Sequence, residues 1–333
     1  MPHNTVIIDS FAHYTTGTAL TKKWDNTGTD NVVLSSGGRF GNAGVQITGF
    51  GGGINRASAV SSAPAKWSIA FGFKMNGELS GGTLVFFKLV DQPTIGSEWV
   101  QCTIKIQPGG RLAVLQNDGT LVGESTYSVH TGVWYHIEIL VNCTVTGQAD
   151  ILINSVNILS VGGDFEQSVT LTGVNQVRIN TQPSGNDLYV CDLRMAEGTD
   201  VGVGDARIVL LKPNADGSFT EWTTSTGTVH YTLVDEVPID NNDWVESDTP
   251  GKRELFAAED TIGTYDEIDD VQTVHWVEVL GTGTAKHYVN SVEGGVIDSV
   301  GKFDLGMWLV EPGSGTNWSQ ANVDAAEFGA KIT

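Results

Sequence analysis

Cysteine is scarce in this chain: its 333 residues include only three, Cys102, Cys143 and Cys191. They are far apart and odd in number, and the sequence contains no CxxC pair or cysteine–histidine cluster. Neither a disulfide framework nor a zinc site is indicated. Each cysteine lies in a strand-like apolar run, which predicts small buried thiols and folding in a reducing compartment.

Long apolar segments and targeting signals are also missing. The opening residues, MPHNTVIIDSF, do not show the charged-then-apolar pattern of a signal peptide, and no apolar stretch approaches the ~20 residues of a membrane span. Membrane insertion is therefore not expected.

Basic residues are few: 18 Lys and Arg face 39 Asp and Glu, for a net charge of -21. The imbalance is uneven, because residues 1–200 hold 16 acidic and 11 basic residues (net -5), whereas residues 201–333 hold 23 and 7 (net -16). A surface of this sign repels phosphate groups, which argues against nucleic-acid binding and against anionic membranes. Hydrophobic residues make up 40% of the chain, enough for ordered cores.

Helical periodicity is weak, and short strand-like runs separated by glycine-rich turns dominate. The 41 glycines suit tight turns. The pattern predicts an all-β protein in which a β-sandwich over residues 1–200 is followed by a smaller β-sandwich over 201–333, with a boundary near 197–204. In the second part, strands are expected at 206–211, 230–233, 253–257, 273–280, 286–292 and 302–310, a short helix at 317–325 with Asn317 or Ser319 as its cap, and a last strand at 327–332.

Several segments together resemble one family of viral proteins. The stretches DSFAHYTTGTALTKKWD (9–25), SSGGRFGNAGVQITG (35–49), GVWYHIEILV (132–141) and NDLYVCD (186–192) resemble the laminin-G-like, concanavalin-A-like domain of tailed-bacteriophage structural proteins. The later segments 204–223 and 234–256 and the ending NWSQANVDAAEFGAKIT resemble the second module of the same proteins.

The resemblance implies a concanavalin-like jelly roll at 1–200 and an acidic module for virion assembly at 201–333. It implies a bacteriophage virion component of the tail, baseplate, fibre or head surface, assembled in the host cytoplasm. Its partners are then other virion proteins, with a homo-oligomer expected. The alternative is a receptor-binding, lectin-like protein that recognises host surface glycan. No catalytic constellation comes with the family, so the chain is expected not to be an enzyme.

One acidic string invites a catalytic interpretation. Retaining glycoside hydrolases of the concanavalin type place two carboxyls about 5–5.5 Å apart on one strand face. Glu267 and Asp269 fit the start of that pattern, but the acid/base position holds Val271 or Gln272, which cannot donate a proton. A solvated acidic loop is the preferred interpretation, with a depolymerase as the remaining alternative.

Other candidates are weaker. Residues 214–218 resemble a calcium loop faintly and a turn more closely. An acidic group that lacks any ligand spacing consists of Asp235, Glu236, Asp240, Asp243, Glu246 and Asp248. His136 and His275 are expected to be hydrogen-bonded core or edge histidines. No catalytic, cofactor-binding or metal-binding residue and no cofactor is therefore predicted.

Nine tryptophans are the last notable feature, because exposed aromatic rings can stack on sugars. Four fall inside strand patterns and are expected in the core: Trp67, Trp134, Trp276 and Trp308. Five lie near turns and could be exposed, with subunit contact or partial burial favoured over sugar stacking: Trp24, Trp99, Trp222, Trp244 and Trp318.

Overall fold

The computed structural model divides into two compact units, one ending at Ile208 and one formed by Val209–Thr333. It describes residues 5–14, 16–27, 31–48, 53–57, 65–77, 84–94, 97–166, 174, 176–180, 186–199, 201–237, 239, 241–261, 263–265, 267–278, 284–298, 300 and 303–333. No described helix is long and apolar enough to cross a membrane.

The first unit is a sandwich of two antiparallel sheets. Its strands are β1 (Thr5–Asp9), β2 (Asn26–Thr27), β3 (Asn31–Leu34), β4 (Gly44–Ile47), β5 (Gly53–Ala57), β6 (Lys66–Asn76), β7 (Leu84–Thr94), β8 (Ser97–Ile106), β9 (Arg111–Leu115), β10 (Leu121–Ser128), β11 (Tyr135–Asn142), β12 (Gly147–Ile153), β13 (Val156–Gly163), β14 (Gln176–Asn180) and β15 (Asp187–Glu197). A 3-10 helix spans Gly17–Lys22.

The first sheet has the order β13-β12-β11-β6-β15-β4-β3, and β1 also pairs with β15. The second has the order β10-β9-β8-β7-β14-β5-β2. Each sheet combines consecutive strands, such as β11-β12-β13 or β7-β8-β9-β10, with neighbours that are distant in the sequence, such as β6 and β15 or β7 and β14, as expected for a jelly roll.

Because successive side chains of a strand point to opposite faces of its sheet, every second side chain contributes to the core between the two sheets. Phe71 and Phe73 of β6 are fully buried, and the ring of Phe73 lies 5.9 Å from that of Phe86, on β7 of the opposite sheet. Because side chains alternate across a strand, the intervening residues of β6 lie on the outer face of the first sheet. The predicted fold class, a jelly-roll sandwich followed by a smaller β-sandwich, is confirmed.

A buried carboxylate, that of Asp9, holds together the first residues of the described structure. Asp9 is 0% exposed, and its Oδ2 accepts hydrogen bonds from Tyr14 Oη at 2.7 Å and Trp24 Nε1 at 2.9 Å. Lys23, which is also buried, places its Nζ 3.9 Å from the same oxygen. Trp24 is therefore a core residue at 1% exposure, more deeply buried than its position near a turn indicated.

The second unit contains a five-stranded sheet and two two-stranded ones. The five-stranded order is β16-β19-β24-β21-β22, and the pairs are β17-β18 and β20-β23. The strands are β16 (Pro213–Thr220), β17 (Thr223–Thr224), β18 (Val245–Glu246), β19 (Arg253–Ala258), β20 (Val271–Trp276), β21 (Ala285–Val289), β22 (Val292–Ile297), β23 (Phe303–Trp308) and β24 (Glu327–Ile332). A 3-10 helix spans Tyr231–Leu233, and α1 spans Gln320–Asp324.

Three local predictions fail in this unit. Residues 206–211 form no strand, and 230–233 lie at a 3-10 turn. Residues 214–218 belong to β16 and not to a turn, because pairing with β19 holds them extended. Conversely, Ser319 caps α1 as predicted, since its side chain accepts a hydrogen bond from the Asn322 backbone N–H.

The core of the second unit includes a cluster around Trp308 and Trp318, joined by Val289, Val323 and Ala326. Trp318 is 3% exposed, and its Nε1 donates to the carbonyl of Trp308 at 2.9 Å. This hydrogen bond allows the indole to be buried, so Trp318 is more deeply buried than its position near a turn indicated.

Candidate functional site

A row of large side chains crosses the outer face of the first sheet. Tyr189 of β15 pairs with Lys74 of β6 on one side and with Gln46 of β4 on the other. Directly opposed residues in antiparallel strands share a face. Their strand neighbours Phe73 and Val190 are 0% exposed in the core, so the paired side chains face outward.

Trp134 extends this row beyond Lys74. It lies immediately before β11, whose first residue, Tyr135, pairs with Phe73. The ammonium of Lys74 lies 5.1 Å from the centre of the Trp134 ring and 4.4 Å from that of Tyr189. A cation within about 6 Å of a ring centre is attracted by the ring's negative face, so the three side chains form one aromatic and cationic surface.

Hydrogen bonds fix the positions of this surface. Asn76 Nδ2 donates to the hydroxyl of Tyr189 at 3.0 Å, and Gln46 Nε2 donates to Asp187 Oδ2 at 2.8 Å. All the side chains involved are partly exposed. We name them the outer strip, which consists of Gln46, Lys74, Asn76, Trp134, Asp187 and Tyr189.

A second cation and a third aromatic ring occur on the same face. A Cβ atom placed on Gly72, two residues before Lys74, would lie 3.6 Å from Arg39 Cβ, so Arg39 crosses the sheet beside the strip. Its guanidinium bonds both carboxylate oxygens of Asp205 and lies 4.4 Å from the centre of the Phe40 ring. Phe40 is 50% exposed.

The segment 201–208 covers another part of this face. Gly204 N donates to Glu138 Oε1 at 2.8 Å, and the carbonyl of Val203 accepts from Arg194 Nη1 at 2.6 Å. Val203 packs on Ala70 and Ala196. Since the segment is held by buried side chains of the central strands, it limits the open part of the face to the outer strip and its surroundings.

A buried histidine lies under this segment. His136 is 2% exposed, and its Nε2 lies 4.0 Å from Asp205 Oδ1. Burial lowers the pKa of His136 to about 4; the Asp205 charge opposes this shift and the Arg39 charge adds to it. The ring is therefore neutral at pH 7. Of the two positions predicted for this histidine, edge or core, the structure shows the core.

A buried polar network forms the most unusual feature of the second unit. His287 Nε2 lies 2.8 Å from Asp304 Oδ1, and its Nδ1 lies 3.0 Å from Thr273 Oγ1 and 2.9 Å from His275 Nδ1. The Thr273 hydroxyl, the His287 imidazole and the Asp304 carboxylate are connected in the same order as the three side chains of a catalytic triad. Thr273 is only 7% exposed, however, and its oxygen also accepts from Trp308 Nε1 at 3.3 Å, so the hydroxyl is enclosed within the core.

The carboxylates singled out in the sequence do not form a site. Glu267 and Asp269 are exposed and lie outside the strands, on either side of Ile268. Of the acidic group around Asp235, Asp240 falls outside the described residues. No group of three or more His, Cys, Asp or Glu residues in the described part of the chain is arranged to hold a metal ion.

The tryptophan predictions have mixed outcomes. Trp67 and Trp308 are buried, as expected for core residues, and Trp244 is 48% exposed, as expected near a turn. Trp134 and Trp276 keep part of their surface exposed, against the prediction. Trp222 is partly exposed, and the side chain of Trp99 lies outside the described part of the structure.

The three cysteines are free and buried, as predicted. Burial raises the pKa of Cys102 to about 12 and that of Cys143 well above its usual value. Thiols in this state are poor nucleophiles, so none of them offers a reactive site at neutral pH.

Comparisons with known proteins identify the fold but no family. No protein-family model and no curated protein matches the chain. The endo-β-1,4-glucuronan lyase of the fungus Trichoderma reesei is 12% identical, covers 52% of this chain and 91% of its own, and has a TM-score of 0.41. The cellulose induced protein Cip1 is 14% identical, covers 60% and 100%, and has a TM-score of 0.44.

A third solved structure, the alginate lyase Aly36B, is 13% identical with a TM-score of 0.39 and covers 59% of this chain and 98% of its own. The prediction that the chain is not an enzyme is corrected, because the solved structures similar to it include enzymes, among them these two lyases. The likeness assigns neither lyase activity to this chain. The lack of a hydrolase carboxylate motif in the sequence was not sufficient ground for that prediction. At such identities the likeness shows the fold alone, and the virion assignment remains a prediction.

Proposed function

We propose that this protein is a glycan-recognising component of a bacteriophage virion, and that its first unit binds carbohydrate of the host surface through the outer strip. The observation that carries the glycan part is the placement of Trp134 and Tyr189 on either side of Lys74, on an open sheet face. Pyranose rings present apolar C–H faces that pack on aromatic rings.

The polar members of the strip suit the same ligand. Sugar hydroxyls need both donors and acceptors, and the amides of Gln46 and Asn76 and the carboxylate of Asp187 supply them beside the rings. Their mutual hydrogen bonds hold them in place before binding, which lowers the entropy lost when a ligand is bound.

The virion part rests on the sequence resemblance, which extends over both units in a constant order of segments. Under this proposal the acidic second unit contacts other virion proteins, and the chain assembles as a homo-oligomer. A sandwich whose backbone is satisfied within its ladders is a rigid body suited to symmetric assembly.

A glycan array tests the recognition. The purified chain is expected to bind a subset of bacterial surface glycans, and Trp134→Ala and Tyr189→Ala are each expected to lower affinity by about tenfold, as for aromatic anchors at other interfaces. Trp244→Ala is the matched control, because this tryptophan is exposed at 48% but belongs to the second unit. Loss of binding in the control alone would contradict the assigned site.

After incubation with the protein, the length of the bound glycans is also measured. Shortened products that disappear with Trp134→Ala would show that the strip positions a substrate for cleavage.

The proposed role in the virion is tested by mass spectrometry of purified particles, which detects the chain in them, and by native mass spectrometry of the purified chain, which gives its oligomeric state. A monomer absent from particles would refute it.

A further inference from the structure

We propose that the outer strip selects glycans whose sugars carry a carboxylate, as uronic or sialic acids do, and that Lys74 is the residue that determines this specificity. The inference rests on the proposed function and names the class of ligand for the same site.

The position of the ammonium carries the argument. Lys74 Nζ lies over two rings, 4.4 Å from the centre of Tyr189 and 5.1 Å from that of Trp134. Among the residues that the structure describes, it forms no ion pair with a carboxylate. A sugar stacked on either ring would therefore bring its substituents next to an uncompensated positive charge.

The other charges of the strip do not cancel this one. Asp187 is the only carboxylate among the six strip residues, and its Oδ2 already accepts a hydrogen bond from Gln46. Arg39 is different from Lys74, because its guanidinium is compensated by both oxygens of Asp205. Lys74 is thus the one cation among the six strip residues, and its ammonium lies directly between the two rings.

The wider charge distribution permits an acidic ligand at this place. Residues 1–200 have a net charge of -5, from 16 acidic and 11 basic residues, whereas the remaining residues have -16, from 23 and 7. The strip belongs to the less acidic part of the sequence. Repulsion from distant charges is screened beyond about 8 Å at physiological salt.

Charge also distinguishes this site from a binding surface for neutral sugars. A neutral sugar can accept a hydrogen bond from the Lys74 ammonium only through its hydroxyl or ring oxygens, whereas an acidic sugar can also accept one through its carboxylate. An ammonium–carboxylate hydrogen bond is about twice as strong as a neutral one. Selectivity for the acidic sugar is the expected result.

The experiment uses matched ligands on the full chain. Sialyllactose is compared with lactose, and an oligogalacturonate with its carboxyl-reduced form, by isothermal titration at low and high salt. We expect the acidic member of at least one pair to bind about tenfold more tightly than its neutral partner. We expect that preference to weaken at high salt.

Three variants separate the roles of charge and rings. Lys74→Met keeps an apolar stem of similar length and is expected to reduce the preference to near unity, and Lys74→Arg to retain most of it. Trp134→Ala is expected to weaken both members of a pair together.

Each outcome decides the question. If the acidic and neutral partners bind equally, or if Lys74→Met leaves the preference intact, the inference is overturned while glycan binding by the strip stands. If no glycan binds at all, the proposed function fails and the inference fails with it.

Discussion

The burial of His136 makes the first unit sensitive to acid. The pKa of this histidine is about 4 in the folded chain against 6.5 for the free side chain, because the ring is desolvated beneath segment 201–208. Between these values the unfolded chain binds a proton that the folded chain does not. Stability therefore falls as the pH drops from 6.5 toward 4, and the loss ends near 4.

The size of the effect follows from the shift. One pKa unit corresponds to about 1.36 kcal/mol, so lowering the pH from 7 to 5 should remove about 2 kcal/mol through this histidine. His136→Gln is neutral at both pH values and should lose about 2 kcal/mol less over the same interval. His13, whose pKa burial also lowers to about 4, acts equally in both proteins and cancels from the comparison.

Urea unfolding at the two pH values, followed by tryptophan fluorescence, measures the difference. The packing cost of the substitution is present at both pH values and cancels as well. His130→Gln is the control, because His130 is exposed and its substitution should leave the pH dependence unchanged. If wild type and His136→Gln lose the same free energy between pH 7 and 5, the assigned state of the buried ring is refuted.

Three further outcomes are expected. Asp9→Asn should destabilise the first unit by about 3–5 kcal/mol in thermal unfolding, because it removes the buried carboxylate charge 3.9 Å from the Lys23 ammonium; a loss below about 1 kcal/mol would contradict this. Gly306→Ala should destabilise the second unit by about 1–3 kcal/mol, since the new Cβ would lie 2.6 Å from the His287 ring, and unchanged urea midpoints would count against the buried network. The three cysteines should resist a thiol reagent in the native chain and react in urea, and rapid native labelling would show that they are not buried.

The sequence was sufficient to predict the fold class, because alternation is a local signal. β24 begins and ends at Glu327 and Ile332, as predicted, and Ser319 caps α1. The same kind of reasoning failed at 214–218, where Asn, Asp and Gly suggested a turn. There the partner strand β19 decides the backbone conformation, and strand pairing is not a local property.

The candidate site could not be predicted, because its parts come from separate segments. Lys74, Trp134 and Tyr189 become neighbours only through the order β11-β6-β15 and its register. A usable signal was present in β6, where Lys74 is the polar residue between two apolar neighbours, and this indicated an outward side chain. Which aromatic rings lie beside it depends on the sheet order.

The buried network of the second unit illustrates the same limit. Thr273, His287 and Asp304 have no motif spacing, and they meet because β20, β21 and β23 bring them together. Trp24 was misjudged for a related reason, since its burial depends on a hydrogen bond to Asp9, fifteen residues earlier.

A crystal structure of the chain with its tightest-binding acidic oligosaccharide would show whether the outer strip binds acidic sugars. We predict that a sugar ring packs on Trp134 or Tyr189, with its carboxylate within hydrogen-bonding distance of Lys74 Nζ. A glycan bound elsewhere on the chain, with these three side chains untouched, would contradict it.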